Sequence, residues 1–339
     1  MKKKLAQKNT KAESSYGKQV RVLAGTPLLI VCVILAAALY ILGITGVFNS
    51  NTQRYLLKMF LYCTLGSMWN LMSGYTGMTS LGQQTFIGLA GYALTVMTAT
   101  YAMSYWAGFL VGVVIGAIVS LILAIILFRM RGMYFAVATW VIAEALRTFF
   151  TSWKFVKQGA GMTVAARPYP STTTIYVIAL TLCIIALVVI YFLLKSKIGL
   201  GLTAMRDDPD AASSVGVDIF KSKLLVFVIC AIFTALAGGV FYLNKGSIYP
   251  AGGFGISWTV SMVFIVIIGG IGTMGGPVLG SILYVIFEEL LSKLPGGWTN
   301  IVLGLIAILV ILFLPDGILG TLQKKFNFEI LSQKRFSGE

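Results

Sequence analysis

LAGTPLLIVCVILAAALYILGITGVF (Leu23–Phe48) contains no charged residue, and its length decides what kind of chain this is. At about 1.5 Å per helical residue it is long enough to cross a hydrocarbon layer about 30 Å thick. The apolar core of a secretory leader is about 7–15 residues long and is followed by a small-residue cleavage site. This run is longer, so it is read as a retained first membrane span. The residues before it, MKKKLAQKNTKAESSYGKQVR (Met1–Arg21), are polar and basic and are expected to form a cytoplasmic tail over residues 1–25.

The rest of the chain agrees with that reading. Of its 339 residues, 58% are hydrophobic and only 11% charged, against about 25% charged in soluble domains. That excludes a soluble globular enzyme, a disordered chain and a free-standing nucleic-acid binder. The net charge of +15, from 26 Lys and Arg against 11 Asp and Glu, reports basic cytoplasmic loops rather than nucleic acid. The expected fold class is all-α, a polytopic transmembrane helical bundle in one membrane domain over 26–320, followed by a cytoplasmic tail over 321–339. Ten spans are predicted, at 26–48, 55–73, 80–102, 106–128, 133–152, 174–194, 221–243, 257–274, 278–294 and 298–314. The third, eighth and ninth are Gly-rich or short and are candidates for broken or re-entrant segments.

Lys and Arg placement supports an even count. With the N-terminus inside, 18 of the 26 basic residues fall in cytoplasmic segments, seven fall outside, and Arg147 lies within a span. That bias follows the positive-inside rule and places both termini in the cytoplasm.

There is no histidine, which removes the commonest general base, the usual zinc ligand and any Ser-His-Asp triad. Cys32, Cys63, Cys183 and Cys230 lie singly in apolar runs and read as small buried hydrophobes. No catalytic residue, metal site or cofactor is expected.

The most charged interior stretch is KSKIGLGLTAMRDDPDAASSVGVDIFKSK (Lys195–Lys223), which holds four of the eleven acids. Asp208 before Pro209 suits an N-cap followed by proline at the first helical position. Asp210 falls where the helix dipole favours negative charge, and Gly216 is a natural stop. A helix of about two turns is therefore predicted from Pro209 to Val215. It is either a solvated linker or a docking element.

DAASSVG (Asp210–Gly216) resembles the E-A-A-x-x-x-G loop of ABC importer permeases, with Asp in place of the first Glu. NLMSGYTGMTSLGQQTFIGLAGY (Asn70–Tyr92), RMRGMYFAVATWVIAEALR (Arg129–Arg147), the segment from Gly199 to Phe241, GGIGTMGGPVLGSILY (Gly269–Tyr284) and LFLPDGILG (Leu312–Gly320) are similar, in order, to blocks of the branched-chain amino-acid ABC permeases. The M-type subunit, which pairs with an H-type subunit, is the nearer of that family's two types. Departures are Gln83 for a frequent His, Thr85 for a small Ala, Trp140 and Ala143 for Leu and Gly, and Asp316 for a common Arg.

The resemblance implies a permease subunit of a bacterial or archaeal inner-membrane ABC uptake system. Its partners would be cytoplasmic ABC ATPases, a second homologous permease, an extracytoplasmic solute-binding protein and the bilayer, with no nucleic acid. It also implies that Met205, Arg206, Asp207, Asp208, Asp210, Ala211, Ala212 and Gly216 couple to the ATPase. Branched-chain amino acids are the expected solute, with urea or short amides as the alternative. No nucleotide site is visible: GGIGTMGG lacks the Lys-Ser/Thr ending of a phosphate loop.

For the solute pathway the candidates are Gly74, Tyr75, Gly77, Ser80, Gln83, Glu144, Gly270 and Gly272. Glycine-rich breaks at membrane depth can bind solute through half-helix ends or can serve close packing; both readings stay open. Glu144 and Arg147, at i and i+3, share a helix face and form either a structural pair or part of the pathway. Of the adjacent Glu288 and Glu289, one is expected to face the bundle and the other the headgroups. A stand-alone secondary transporter is the rival class. It would have to couple ions through Glu144, Glu288 or Glu289 and gives no reason for DAASSVG.

Overall fold

The computed structural model describes residues 21–22, 26–292, 298–314, 316–326 and 328–329. Most of the two expected tails, together with Lys293 and Pro315, lies outside the described residues. Helices α1 (Thr26–Ile44), α2 (Ser50–Ser73), α3 (Gln84–Ala99), α4 (Tyr105–Leu127), α5 (Met133–Ser152) and α6 (Thr172–Lys195) occupy the first six predicted intervals. Two short helices follow, α7 (Lys197–Asp207) and α8 (Pro209–Ser214). The remainder are α9 (Ile219–Lys245), α10 (Pro250–Gly253), α11 (Ser257–Gly269), α12 (Gly276–Ser292), α13 (Trp298–Phe313) and α14 (Gly317–Phe326). The fold is an all-α membrane bundle. Among the described residues, five helical segments are long and apolar enough to cross a bilayer: Tyr105–Leu127, Met133–Ser152, Thr172–Lys195, Ile219–Lys245 and Pro250–Gly269.

The core forms around α2, which touches α6, α9, α11 and α12, and around α9, which touches α2, α3, α4 and α6. From Phe60 to Ser73 every residue of α2 is buried. This explains a helix that is polar for a span: its hydroxyls turn inward and bond locally, as Thr64 does to Phe60 O at 2.9 Å. Backbones approach closely where side chains vanish. Gly108, Gly112 and Gly116 form a stripe along α4. A Cβ at Gly108 would lie 2.8 Å from Leu94 Cα, and one at Gly112 would lie 3.2 Å from Ala90 Cα. That four-residue spacing of glycines was visible in the sequence and is the signal for the α3–α4 seam.

Two spans are interrupted. After α2 the chain runs without helix through residues 74–83 before α3 begins. At 16 residues, α3 covers only about 24 Å. After α9, a two-residue strand (Ser247–Ile248) pairs antiparallel with Met162–Thr163, α10 makes one turn, and α11 then spans 13 residues, about 20 Å. The third and eighth predicted intervals hold continuous helices, α3 and α11, each shorter than a full span and flanked by non-helical backbone. In the ninth, α12 is continuous and the irregular segment is the connection before it, 270–275.

Irregular backbone at membrane depth must be covered and hydrogen-bonded by protein, and residues 80–81 find partners on three helices. Leu81 N donates to Thr139 Oγ1 on α5 at 3.0 Å. Thr259 Oγ1 on α11 donates to Leu81 O at 3.2 Å, and Trp69 Nε1 on α2 donates to Ser80 O at 2.9 Å.

Between α6 and α9 the sequence predicts one helix and the structure has two. Gly199 and Gly201 weaken the helical signal of KIGLGLTAMRD, but Leu202 and Met205 are fully buried. Burial of that face outweighs the propensity cost of two glycines.

Candidate functional site

The helix predicted at Pro209 is present as α8. Asp208 is its N-cap, with Oδ1 accepting from Asp210 N at 2.9 Å and Ala211 N at 3.0 Å. Gly216 follows at φ +89°, a conformation that suits glycine. Asp207, Asp208, Asp210, Ala211, Ser213, Ser214 and Gly216 are exposed, and Val215 is 79% exposed. Ala212 is not: at 2% exposure it packs in the core with Leu202, Met205 and Phe227. Its small size serves the seat of α8 on its own chain, so of the two alanines only Ala211 is presented outward. Asp210 faces Arg131 at 4.0 Å, both side chains in solvent, where such a pair contributes little.

Asp218 caps α9, accepting from Lys221 N at 3.0 Å and pairing with its Nζ at 3.0 Å. The Lys221 backbone N–H, then its ammonium, hold the Asp218 carboxyl below its ordinary pKa. Aspartate caps thus flank α8 on both sides while its outer face stays open.

Three of the candidate glycines, Gly74, Gly77 and Gly272, converge on Arg206, at the end of α7. Its Nη1 donates to Gly74 O at 2.9 Å. A Cβ at Gly77 would meet Arg206 Cγ at 3.4 Å, and one at Gly272 would meet Nη1 at 3.3 Å. Asn70 joins the same point, its Oδ1 accepting from Gly272 N at 2.8 Å and its Nδ2 donating to Thr273 O at 2.9 Å. Gly270 ends α11 at φ +123°. Tyr75 is buried nearby. Asn70 was not singled out as a candidate, although an amide in an apolar run is the signal for such a bridge.

Ser80 and Gln83 are also buried, at the start of α3. There the Oε1 of Gln83 and the Oγ1 of Thr85 have no hydrogen-bond partner.

Glu144 stands apart from these groups. Arg147 Nε donates to its Oε1 at 2.9 Å, as the i, i+3 spacing predicts, yet each side chain is 41% exposed. The face of α5 around the pair is open: Met133, Tyr134, Val137, Val141 and Phe149 are all exposed.

Glu288 and Glu289 both engage α2, where one was expected to. Glu288 Oε2 lies 3.8 Å from Lys58 Nζ, and Glu289 accepts from Tyr55 Oη at 2.9 Å; Lys58 and Tyr55 are themselves one turn apart. Glu288 also borders a cavity of about 690 Å³, walled by Tyr62, Trp258, Tyr284, Phe241 and Lys245. The Lys245 ammonium sits 5.0 Å from the Tyr249 ring centre and 5.8 Å from that of Phe241, within cation–π range. Both charges and the volume are suited to a small ligand with an apolar body.

A family model described as "Branched-chain amino acid transport system / permease component" matches residues 51–311. The chain belongs to this permease family. It is 25% identical over 289 residues to the high-affinity branched-chain amino acid transport system permease protein LivM of Escherichia coli K12, covering 76% of this chain and 68% of the relative. The probable branched-chain amino acid transport permease protein LivH of Methanocaldococcus jannaschii is 28% identical, covering 42% of this chain and 48% of the relative. A fructose import permease protein, FruG of Bifidobacterium longum, is 31% identical, covering 38% of this chain and 41% of the relative. No solved structure matches significantly. As a member of this family the chain is a transport subunit of the membrane, and none of the sites above is assigned chemistry on a substrate.

Proposed function

We propose that this permease forms one half of the translocation path of an ABC importer for branched-chain amino acids. A second, homologous permease forms the other half, two cytoplasmic ATPases supply the energy, and an extracytoplasmic binding protein delivers solute. The chain crosses the membrane ten times with both termini in the cytoplasm. The observation that carries the reading is α8: a capped helix seated by Ala212, with its opposite side offered to solvent. Val215 and Phe220, 79% and 50% exposed, give that surface an apolar patch beside the acids, as a docking face needs.

The open face of α5 is where the second permease packs and where the path runs. An unpaired charge at a span centre costs about 2.5–3.5 kcal/mol on insertion scales, so intramembrane acids face protein or water. Glu144 lies midway along α5, its carboxylate paired with Arg147 of the same helix and its side chain 41% exposed. The cavity between Lys245 and Glu288 is the outer vestibule, with a cation for a carboxylate and a carboxylate for an ammonium. Amino acids are favoured over sugars because the likeness to LivM covers twice as much of this chain as that to the fructose permease.

Affinity purification from the native host in mild detergent tests the assembly. The expected result is recovery of an ABC-type ATPase and a second permease. Recovery of the chain alone, under conditions that hold a reference ABC complex together, overturns it, and uptake driven by an ion gradient without ATP would then establish a secondary transporter.

A further inference from the structure

Arg206 occupies a position that seating α8 does not require. It is two residues from the N-cap of α8, and its side chain, 34% exposed, reaches from Asp207 at the surface to the end of α2. There it donates to Gly74 O at 2.9 Å, lies against Gly77, and fills the space that a side chain at Gly272 would need. Gly77 and Gly272 both have φ +72°. That backbone conformation favours glycine at both positions. Asp207 Oδ1 accepts from Arg206 Nε at 3.0 Å and fixes the guanidinium plane. Asn70 locks 270–273 to the end of α2 through two hydrogen bonds. One side chain thus touches the start of the 74–83 segment, which leads to α3, and the turn that joins α11 to α12.

We propose that Arg206 is the positioning residue through which movement of α8 reaches the translocation path, and that segments 74–83 and 270–275 form the path's inner gate. The inference rests on α8 being the ATPase contact. Three features support it. Arg206 is separated from α8 by the single linking residue before Asp208, so little slack can develop between docking surface and latch. Both segments that it touches are non-helical, and such segments absorb backbone rotation at low cost. Each also adjoins a helix too short to span alone, 74–83 preceding α3 and 270–275 following α11, so a shift at Arg206 tilts α3 and α11 without breaking a continuous helix. A guanidinium donates in a fixed fork to two acceptors at once, so a lysine at this position can keep either Gly74 O or Asp207, but not both in this geometry.

The test uses the full complex reconstituted in liposomes with its binding protein, comparing wild type, Arg206→Lys, Arg206→Ala and Gly272→Ala. Solute uptake and ATP hydrolysis are measured on the same vesicles. For Arg206→Ala the expected result is a fall of about tenfold in solute moved per ATP, within the range of coupling energies between linked sites. Subunit stoichiometry should be unchanged and hydrolysis should fall by less than uptake, with Arg206→Lys intermediate. A purely structural role would instead lower assembly and hydrolysis together. Spin labels at Thr79 and Ile271, both exposed, supply a second readout. Their separation should change on ATP binding in wild type and stay constant in Arg206→Ala. An unchanged uptake-to-ATP ratio in Arg206→Ala, or a label separation that still responds to ATP, overturns the latch. Absence of ATP-driven uptake in wild type would instead overturn the importer reading beneath it.

Discussion

Ala212 and Val215 show how much depends on which side of a one-and-a-half-turn helix a residue occupies. Ala212 is 2% exposed and Val215 79%, although both belong to the same seven-residue motif. An arginine at Ala212 would have to enter the core between Leu202 and Phe227. Overpacking a filled site costs typically 1–3 kcal/mol, and burying an unpaired charge costs more. Ala212→Arg should therefore lower the yield of monodisperse protein. Val215→Asp should leave yield unchanged and reduce ATPase co-purification. Size-exclusion profiles of the two variants, with ATPase blotted across the peak, separate these outcomes. Asp208 offers a milder test, because its side chain satisfies two otherwise unpaired amides of α8. Loss of such a cap costs about 1 kcal/mol. Asp208→Ala should therefore speed amide exchange at Asp210 and Ala211 about fivefold, measurable by hydrogen exchange in detergent.

At the scale of elements, small residues and aspartate caps do much of the positioning. The Gly108, Gly112 and Gly116 stripe brings the α4 backbone against Leu94 and Ala90 of α3. Gly112→Leu has no room to expand and should separate the two helices. We expect a lower melting temperature for the detergent-purified protein, whereas Val114→Leu, on the exposed face, should leave it unchanged. The α9 cap carries a pH dependence whose sign follows from the depressed pKa of Asp218. A carboxylate with a lowered folded pKa contributes fully above its unfolded value of about 4. That contribution disappears as pH falls through the lower folded value. Fraying of the first turn of α9 should thus appear only below about pH 4, read as amide exchange at Phe220 to Ser222 corrected for intrinsic rate. Asp218→Asn should flatten the profile.

For the whole molecule, the distribution of exposed apolar surface points to what is missing. Among the described residues, helix α5 packs chiefly against α3, α4 and α10, and its outer side carries both an ion pair and exposed Val137 and Val141. If the second permease covers that side, cysteines at Val137 or Val141 should crosslink to it in membranes with a short bifunctional reagent. A cysteine at Ile118 of α4, exposed and on a different helix, should not. Uncrosslinked Val141 combined with ready labelling by a lipid-soluble maleimide would place α5 against acyl chains and remove it from the path.

Helix positions were legible in the sequence because a membrane span is set by length and apolarity alone. Leu23–Phe48 and its successors leave no soluble alternative, and each predicted interval holds a helix. The cap of α8 was equally legible, since Asp208 and Pro209 act within one turn of backbone. The Glu144–Arg147 pair followed from spacing on a single helix. What could not be read was any relation across the bundle. The hydrophobic pattern is silent about which of Gly74, Gly77 and Gly272 meets which partner, because glycine carries no side chain to mark a face. Nor does it show that Asn70 and Arg206, 136 positions apart along the chain, close on the same turn. Ala211 and Ala212 are chemically identical, and only the packing of α8 onto α9 and α7 decides that one faces the core and the other the cytoplasm. Local hydrogen bonding and solvent partitioning are written residue by residue, whereas burial and contact between distant segments exist only once the chain has closed on itself.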